Sequence, residues 1–186
     1  MQRFEFLDTP LAGLKVVKRQ PIGDNRGYLC RMFCAESFAA HGFSKAIAQI
    51  NHTMTSKPGV VRGMHYQLPP HSEVKLVSCI QGKVFDVAVD LREGSPTFLQ
   101  WHAEILSEDN QTSLLIPEGF AHGFQTLTND CELIYLHSMP YKQAAEAALN
   151  AMDCMVSIDW PLPVKDMSER DRSHPMLNQE FKGIAL

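Results

Sequence analysis

Lys83-Val84-Phe85-Asp86-Val87-Ala88-Val89-Asp90-Leu91 alternates with a strict period of two. Phe85, Val87, Val89 and Leu91 share one face, and Val84, Asp86, Ala88 and Asp90 share the other, the pattern of a β-strand. Shorter apolar runs follow at 97–106, 113–116, 123–127 and 132–137. Turn residues separate them: Gln81-Gly82, Glu93-Gly94-Ser95-Pro96, Glu108-Asp109-Asn110, Pro117-Glu118-Gly119 and Thr128-Asn129-Asp130. Strands at this spacing, with no long helix between them, predict an all-β sandwich or barrel. The alanine-rich stretch 143–152 reads as a short helix, and another is expected near Phe38. Beyond Trp160-Pro161-Leu162-Pro163 the chain turns polar and reads as an irregular C-terminal arm lying against the barrel. With 186 residues and no internal repeat or low-complexity linker, a single domain spanning 1–186 is expected.

Hydrophobic residues make up 45% of the chain and charged residues 20%, enough apolar surface for a buried core. A net charge of −4 offers no basic field to a nucleic acid, so an anionic ligand must be met by a few local Lys or Arg residues. No apolar run approaches the roughly 18 residues of a membrane span. The N-terminal segment Met1-Gln2-Arg3-Phe4-Glu5 lacks the apolar core of a signal peptide. The five cysteines form no Cys-x-x-Cys pair, which argues against a disulfide framework and for a reducing cytoplasm.

Four of the eight histidines, His65, His71, His122 and His137, stand in settings that invite chemistry. In Arg62-Gly63-Met64-His65-Tyr66-Gln67, followed by Lys75, neighbouring strands of a barrel can bring Arg62, His65 and Lys75 into one cavity. They would supply a phosphate clamp, a proton acceptor near neutral pH and a fixed positive charge. Gly63 permits close backbone approach. A set of surface residues beside a hairpin is the competing reading. Tyr135 shares a strand face with Leu133 and His137; facing inward it is a candidate proton donor, although on pattern alone an ordinary core tyrosine is the commoner case.

Pro117-Glu118-Gly119-Phe120-Ala121-His122 matches Pro-x-Gly-x-x-His, the second motif of the cupins, and so resembles a jelly-roll β-barrel. In metal-binding cupins this histidine is a ligand, and a His-x-His…Glu cluster supplies the rest. The chain has His65 and His71 but no His-x-His, so the expectation is a barrel without metal, with His122 as a polar wall residue.

The segments together resemble the dTDP-4-dehydrorhamnose 3,5-epimerase family. The resemblance is carried by Asp24-x-Arg26-Gly27, Gln49-x-Asn51, Arg62-Gly63-x-His65-Tyr66-Gln67-x-Pro69-Pro70, Lys75-Leu76-Val77 and Phe85-Asp86-Val87-Ala88-Val89-Asp90-Leu91-Arg92. It continues in Gly94-Ser95-Pro96-Thr97, Ile116-Pro117 through His122-Gly123-Phe124, Ile158-Asp159-Trp160-Pro161 and Ser168-Glu169-Arg170-Asp171-Arg172. It implies a homodimer of jelly rolls with no metal and no organic cofactor, acting on a nucleotide-diphosphate 4-keto-6-deoxy sugar. His65 would be the base that takes a proton from C5, and in a double epimerase also from C3, with Asp171 as its partner. Lys75 would face the enolate oxygen, and Tyr135 would return a proton from the opposite face. Arg26, Gln49, Asn51, Arg62, His122, Tyr141 and Arg172 would bind substrate, with Arg26 and Arg62 on the diphosphate.

The family's usual Arg-Gly-Phe-Phe-x-Glu is here Arg26-Gly27-Tyr28-Leu29-Cys30-Arg31. A carboxylate accepts from thymine N3, whereas a guanidinium suits the acceptors of cytosine. Arg31 therefore makes CDP the first alternative to dTDP. Two other functions compete. A metal-dependent cupin oxygenase or isomerase predicts bound metal, and a non-catalytic sugar-nucleotide-binding barrel predicts binding without proton exchange.

Overall fold

A computed structural model describes residues 3–186; Met1 and Gln2, part of the N-terminal segment read above, lie outside the described residues. In chain order the elements are β1 (Phe4–Asp8), β2 (Lys15–Arg19), β3 (Ile22–Asp24), β4 (Gly27–Leu29), α1 (Ala35–Ala39), β5 (Gln49–Thr55), β6 (Val61–Gln67) and β7 (Lys75–Gln81). They continue with β8 (Lys83–Asp90), β9 (Trp101–Ser107), β10 (Thr112–Ile116), β11 (Phe120–Thr126), β12 (Cys131–His137), β13 (Glu146–Ala148) and α2 (Glu169–Ser173). A six-stranded sheet, β1-β2-β10-β7-β12-β5, faces a five-stranded one, β13-β6-β11-β8-β9, and β3-β4 is a separate hairpin. The result is the expected cupin-like jelly roll. Among the described residues no helix is long and apolar enough to cross a membrane, and all five cysteines are free thiols.

The period of two places apolar side chains in three layers. Val16, Val77, Val84, Ala88, Leu114, Phe124 and Leu133 fill the space between the sheets. Val61, Val87, Val89 and Leu91 pack on the other side of the five-stranded sheet, beneath Val156, Met167 and Ile184 of the C-terminal arm. Phe38 of α1 and Phe43 cover Phe4, Val17, Leu76 and Leu136 on the outside of the six-stranded sheet. Both faces of β8 are thereby buried, and the face with Asp86 is the one that looks inward.

Two expectations are corrected. The stretch 143–152 is not a helix: Gln143–Ala145 makes one 3₁₀ turn, and β13 then pairs antiparallel with β6, Ala148 opposite His65. Leu149 extends the pairing by exchanging backbone bonds with Met64 (2.9 and 3.1 Å). Satisfying the edge of β6 outweighs the small intrinsic preference of alanine for helix. The strand expected at 97–106 starts only at Trp101. Ser95 and Thr97 turn their hydroxyls onto Asp90 Oδ2 (2.6 and 2.7 Å), and Leu99 adopts a left-handed φ of 61°.

Asp90 anchors this turn. Burial pushes its carboxyl up, but Arg92 (2.7 Å), both hydroxyls and the Arg92 N–H outweigh that and hold it at about 2. A carboxyl lowered in the folded state contributes stability above its unfolded value near 4, and the contribution is lost as pH falls from about 4 to about 2. Asp90→Asn is expected to cost ~2 kcal/mol at neutral pH and to flatten the acid limb of stability in that window. Denaturation midpoints measured from pH 2 to 7 check this; an unchanged acid limb would remove Asp90 from the account.

Candidate active site

The open end of the jelly roll holds a cavity of about 210 Å³, lined by Asn51, Thr53, Arg62, His65, Tyr66, Gln67, Glu73, Lys75, His122, Phe124, Tyr135, His137, Tyr141 and Glu146. Seven of the twelve residues expected to form the site line it: Asn51, Arg62, His65, Lys75, His122, Tyr135 and Tyr141. Gln49 stands at its edge, donating to Asn51 Oδ1 (3.0 Å), and Asp171 lies behind His65.

His65 is carried by β6 and Asp171 by α2, more than a hundred residues later in the chain. Asp171 is almost fully buried, and its Oδ1 lies 2.7 Å from His65 Nε2. Burial raises the carboxyl, but the bond and charge of His65, the Gly63 N–H (3.4 Å) and Ser168 outweigh it and hold it at about 2. The ionised carboxylate accepts Nε2–H and leaves Nδ1 as the basic nitrogen. Ser168 caps α2 by accepting the Asp171 N–H (3.0 Å), which fixes the carboxylate behind the imidazole. Gly63 lets β6 lie close against β11: a Cβ there would sit 2.5 Å from Gly123 Cα and 2.9 Å from His122 O, at a φ of 135°.

Tyr135 belongs to β12 in the opposite sheet, so it looks at the cavity from the facing wall. Burial, reinforced by the negative charge of Asp86, pushes its phenol far above the usual value. It is therefore fully protonated at neutral pH and suited to give a proton. Asp86 also takes His122 Nε2 (2.8 Å), while its second oxygen has no partner among the described residues. Lys75 is buried, its Nζ held by the His65 carbonyl (3.1 Å) and by Glu73 Oε1 (3.1 Å).

Three expected binding residues stay outside the cavity. Arg26 sits on the β3-β4 hairpin, exposed and paired with Asp24 (2.6 Å). Arg31 follows that hairpin and is exposed. Arg172 points away, paired with Asp166 (2.8 Å) and bound to the Met167 carbonyl. Conversely, sequence reasoning did not single out Glu73, Glu146 or Arg170. Arg170 bonds Glu146 (3.0 Å) and lies 3.3 Å from His65 Nε2, and Glu146 accepts the Tyr141 hydroxyl (2.8 Å). Asp86, which holds His122, left a local signal as a carboxylate in mid-strand. Among the described residues, one group of three side chains is close enough to share a metal ion: His65, Asp171 and His174. It contains the carboxylate–imidazole pair itself, and His122 is no part of it.

A base and a neutral phenol on facing walls, with a buried lysine lining the same cavity, define an isomerase that inverts carbon centres by moving protons. A family model described as dTDP-4-dehydrorhamnose 3,5-epimerase matches residues 8–179. The chain belongs to that family and is an epimerase of nucleotide-linked 4-keto-6-deoxy sugars. The dTDP-4-dehydrorhamnose 3,5-epimerase of Sinorhizobium fredii is 38% identical over 173 residues, 92% of this chain and 89% of that protein. That of Shigella flexneri is 39% identical over 166 residues, 89% and 91% of the two chains. Among solved structures, the dTDP-6-deoxy-D-glucose-3,5-epimerase of Legionella pneumophila, in complex with dTDP-4-keto-L-rhamnose, superposes with a TM-score of 0.89 at 37% identity. It covers 95% of this chain and 94% of that one.

Proposed function

We propose that the chain inverts C5, and C3 where both centres are turned over, of a dTDP-linked 4-keto-6-deoxy sugar. The observation that carries this reading is the ionised Asp171 behind His65 on one wall, with the protonated Tyr135 on the other. His65 takes the proton from the carbon beside the ketone. The C–H electron pair moves into a C=C bond and the carbonyl pair onto O4, where Lys75 offsets the charge. Tyr135 then delivers its proton to the opposite face, the enolate pair forms the new C–H bond, and solvent resets both residues. Oxyanion partners of this kind contribute about 3–4 kcal/mol to the barrier. Arg62, Asn51, Gln49, His122 and Tyr141 hold the sugar nucleotide, and no cofactor takes part.

The test is incubation with dTDP-4-keto-6-deoxyglucose in D₂O, reading the deuterated carbons by NMR, beside titration of dTDP and CDP. Deuterium at C5 or C3 with dTDP preferred supports the reading. Preference for CDP would replace the nucleotide and assign Arg31 to the base. Tight binding without exchange would favour a sugar-nucleotide-binding barrel, and exchange abolished by a chelator would favour a metal-dependent cupin.

The working unit in this reading is a homodimer. All six strand residues of the β3-β4 hairpin are exposed, Tyr28 to 67% and Leu29 to 65%. The edge strand β5 also presents Ile50 and Met54 to solvent. Apolar groups on a projecting hairpin and an open sheet edge suit a second copy. Docking would bring Arg26 and Arg31 toward the partner's cavity and give them the ligand that their own cavity does not. Leu29→Asp is expected to shift a dimer toward monomer by sedimentation and to raise KM about tenfold; a wild-type monomer of full activity would overturn this. The five free thiols suit a reducing cytoplasm.

A further inference from the structure

His137 has no part in the proton transfers above, yet it is buried in the cavity wall and ends a chain of hydrogen bonds whose polarity is dictated from both sides. At the cavity mouth the Tyr141 backbone N–H, which can only donate, is bound by Gln49 Oε1 (2.9 Å). Gln49 must therefore turn Nε2 toward Asn51 Oδ1 (3.0 Å). Asn51 then presents Nδ2 to His137 Nε2 (3.4 Å), so that ring nitrogen is the bare acceptor. The ring hydrogen sits on Nδ1, 2.9 Å from Glu73 Oε2. Burial raises Glu73, but the His137 bond and the Lys75 charge outweigh it and hold the carboxyl below its ordinary value, so this end only accepts. A single neutral tautomer satisfies every link.

We propose that Glu73 and His137 are positioning residues that set the direction of the two substrate-facing amides. With His137 carrying Nδ1–H, Asn51 and Gln49 each retain one N–H for a ligand, and Tyr141 stays anchored. Along this wall the site accepts a sugar bearing oxygen acceptors, and it disfavours an amino substituent, which would set donor against donor. A hydrogen on Nε2 would reverse Asn51, then Gln49, and bring Gln49 Nε2 against the Tyr141 N–H. The groups facing His137 are Glu73 from the turn before β7, Lys75 on β7, Tyr135 stacked beside it at 6.1 Å, and the uncharged Gln49 and Asn51 of β5. The role of the amides rests on the proposed sugar site; the tautomer does not.

Nitrogen-15 NMR of the ligand-free protein at neutral pH should show His137 neutral with Nδ1–H, and Glu73→Gln, whose amide oxygen still accepts, should keep that tautomer because the Tyr141 N–H fixes the other end of the chain. His137→Phe, which keeps the ring packing, should raise KM about tenfold with kcat changed less than about twofold. His137→Gln, which can accept from Asn51 and donate to Glu73, should recover most of the loss. Nε2–H or an imidazolium in the resting protein, or a wild-type KM in a folded His137→Phe variant, would overturn the proposal. A protein that shows Nδ1–H but exchanges no deuterium loses the epimerase reading and keeps this tautomer assignment.

Discussion

Replacing His65 by alanine is expected to abolish deuterium incorporation at both C5 and C3 of the sugar, a loss of roughly 10²–10⁴-fold. The size follows from what the imidazole provides. A C–H beside a ketone is a weak acid, and its proton leaves only for a base held within reach. Asp171 fixes that base by accepting Nε2–H at 2.7 Å; His122 and His137 also have carboxylates behind them, Asp86 and Glu73, but their side chains are only 6% and 11% exposed against 29% for His65, which leaves His65 the base open to a ligand. Alanine leaves the buried carboxylate without its partner. His65→Asn serves as the control, because its amide can still donate to Asp171 while offering no basic nitrogen. Both variants should be inactive, with the asparagine form melting closer to wild type. Exchange at the wild-type rate in either would show that another group takes the proton, and the assignment of His65 would fall.

Replacing Tyr135 by phenylalanine is expected to separate the two halves of the reaction. Inversion should drop by a similar factor of about 10²–10⁴, while His65 continues to remove and return a proton on its own face. In D₂O the substrate would then gain deuterium with its configuration retained. The separation is expected because the two groups stand on different sheets, His65 on β6 and Tyr135 on β12. Burial and the Asp86 charge keep the phenol protonated well beyond the ordinary range of tyrosine, so activity should not fall through its ionisation between pH 7 and 10. Inversion by Tyr135→Phe at the wild-type rate would transfer the donor role elsewhere.

Both predictions depend on contacts of very different legibility. The period of two in Lys83–Asp90, the turn residues between the later strands and the Pro-x-Gly-x-x-His motif are local features. They point to the jelly roll, while half of the fourteen residues that line the cavity were expected, several of them only through the resemblance to the family. The alanines of 143–152 misled, because a free edge on β6 decides their conformation and local propensity does not. Arg172 stands beside Asp171 in sequence, yet the turn of α2 sends one side chain inward and the other to Asp166.

The sequence by itself determined that strands form, where they turn, and which acid, base and cation the site has available, because backbone preference and side-chain chemistry belong to each residue and its near neighbours. The tertiary structure alone decided that Asp86 faces inward, that Glu73 meets His137 and that the hairpin bearing Arg26 lies outside the lining of its own cavity, and it supplied the contact by which Asp171, expected from the resemblance, meets His65. Those outcomes depend on which sheet covers which face and on pairs separated by 64 or 106 residues. Their free energy exists only once the two sheets have closed on each other.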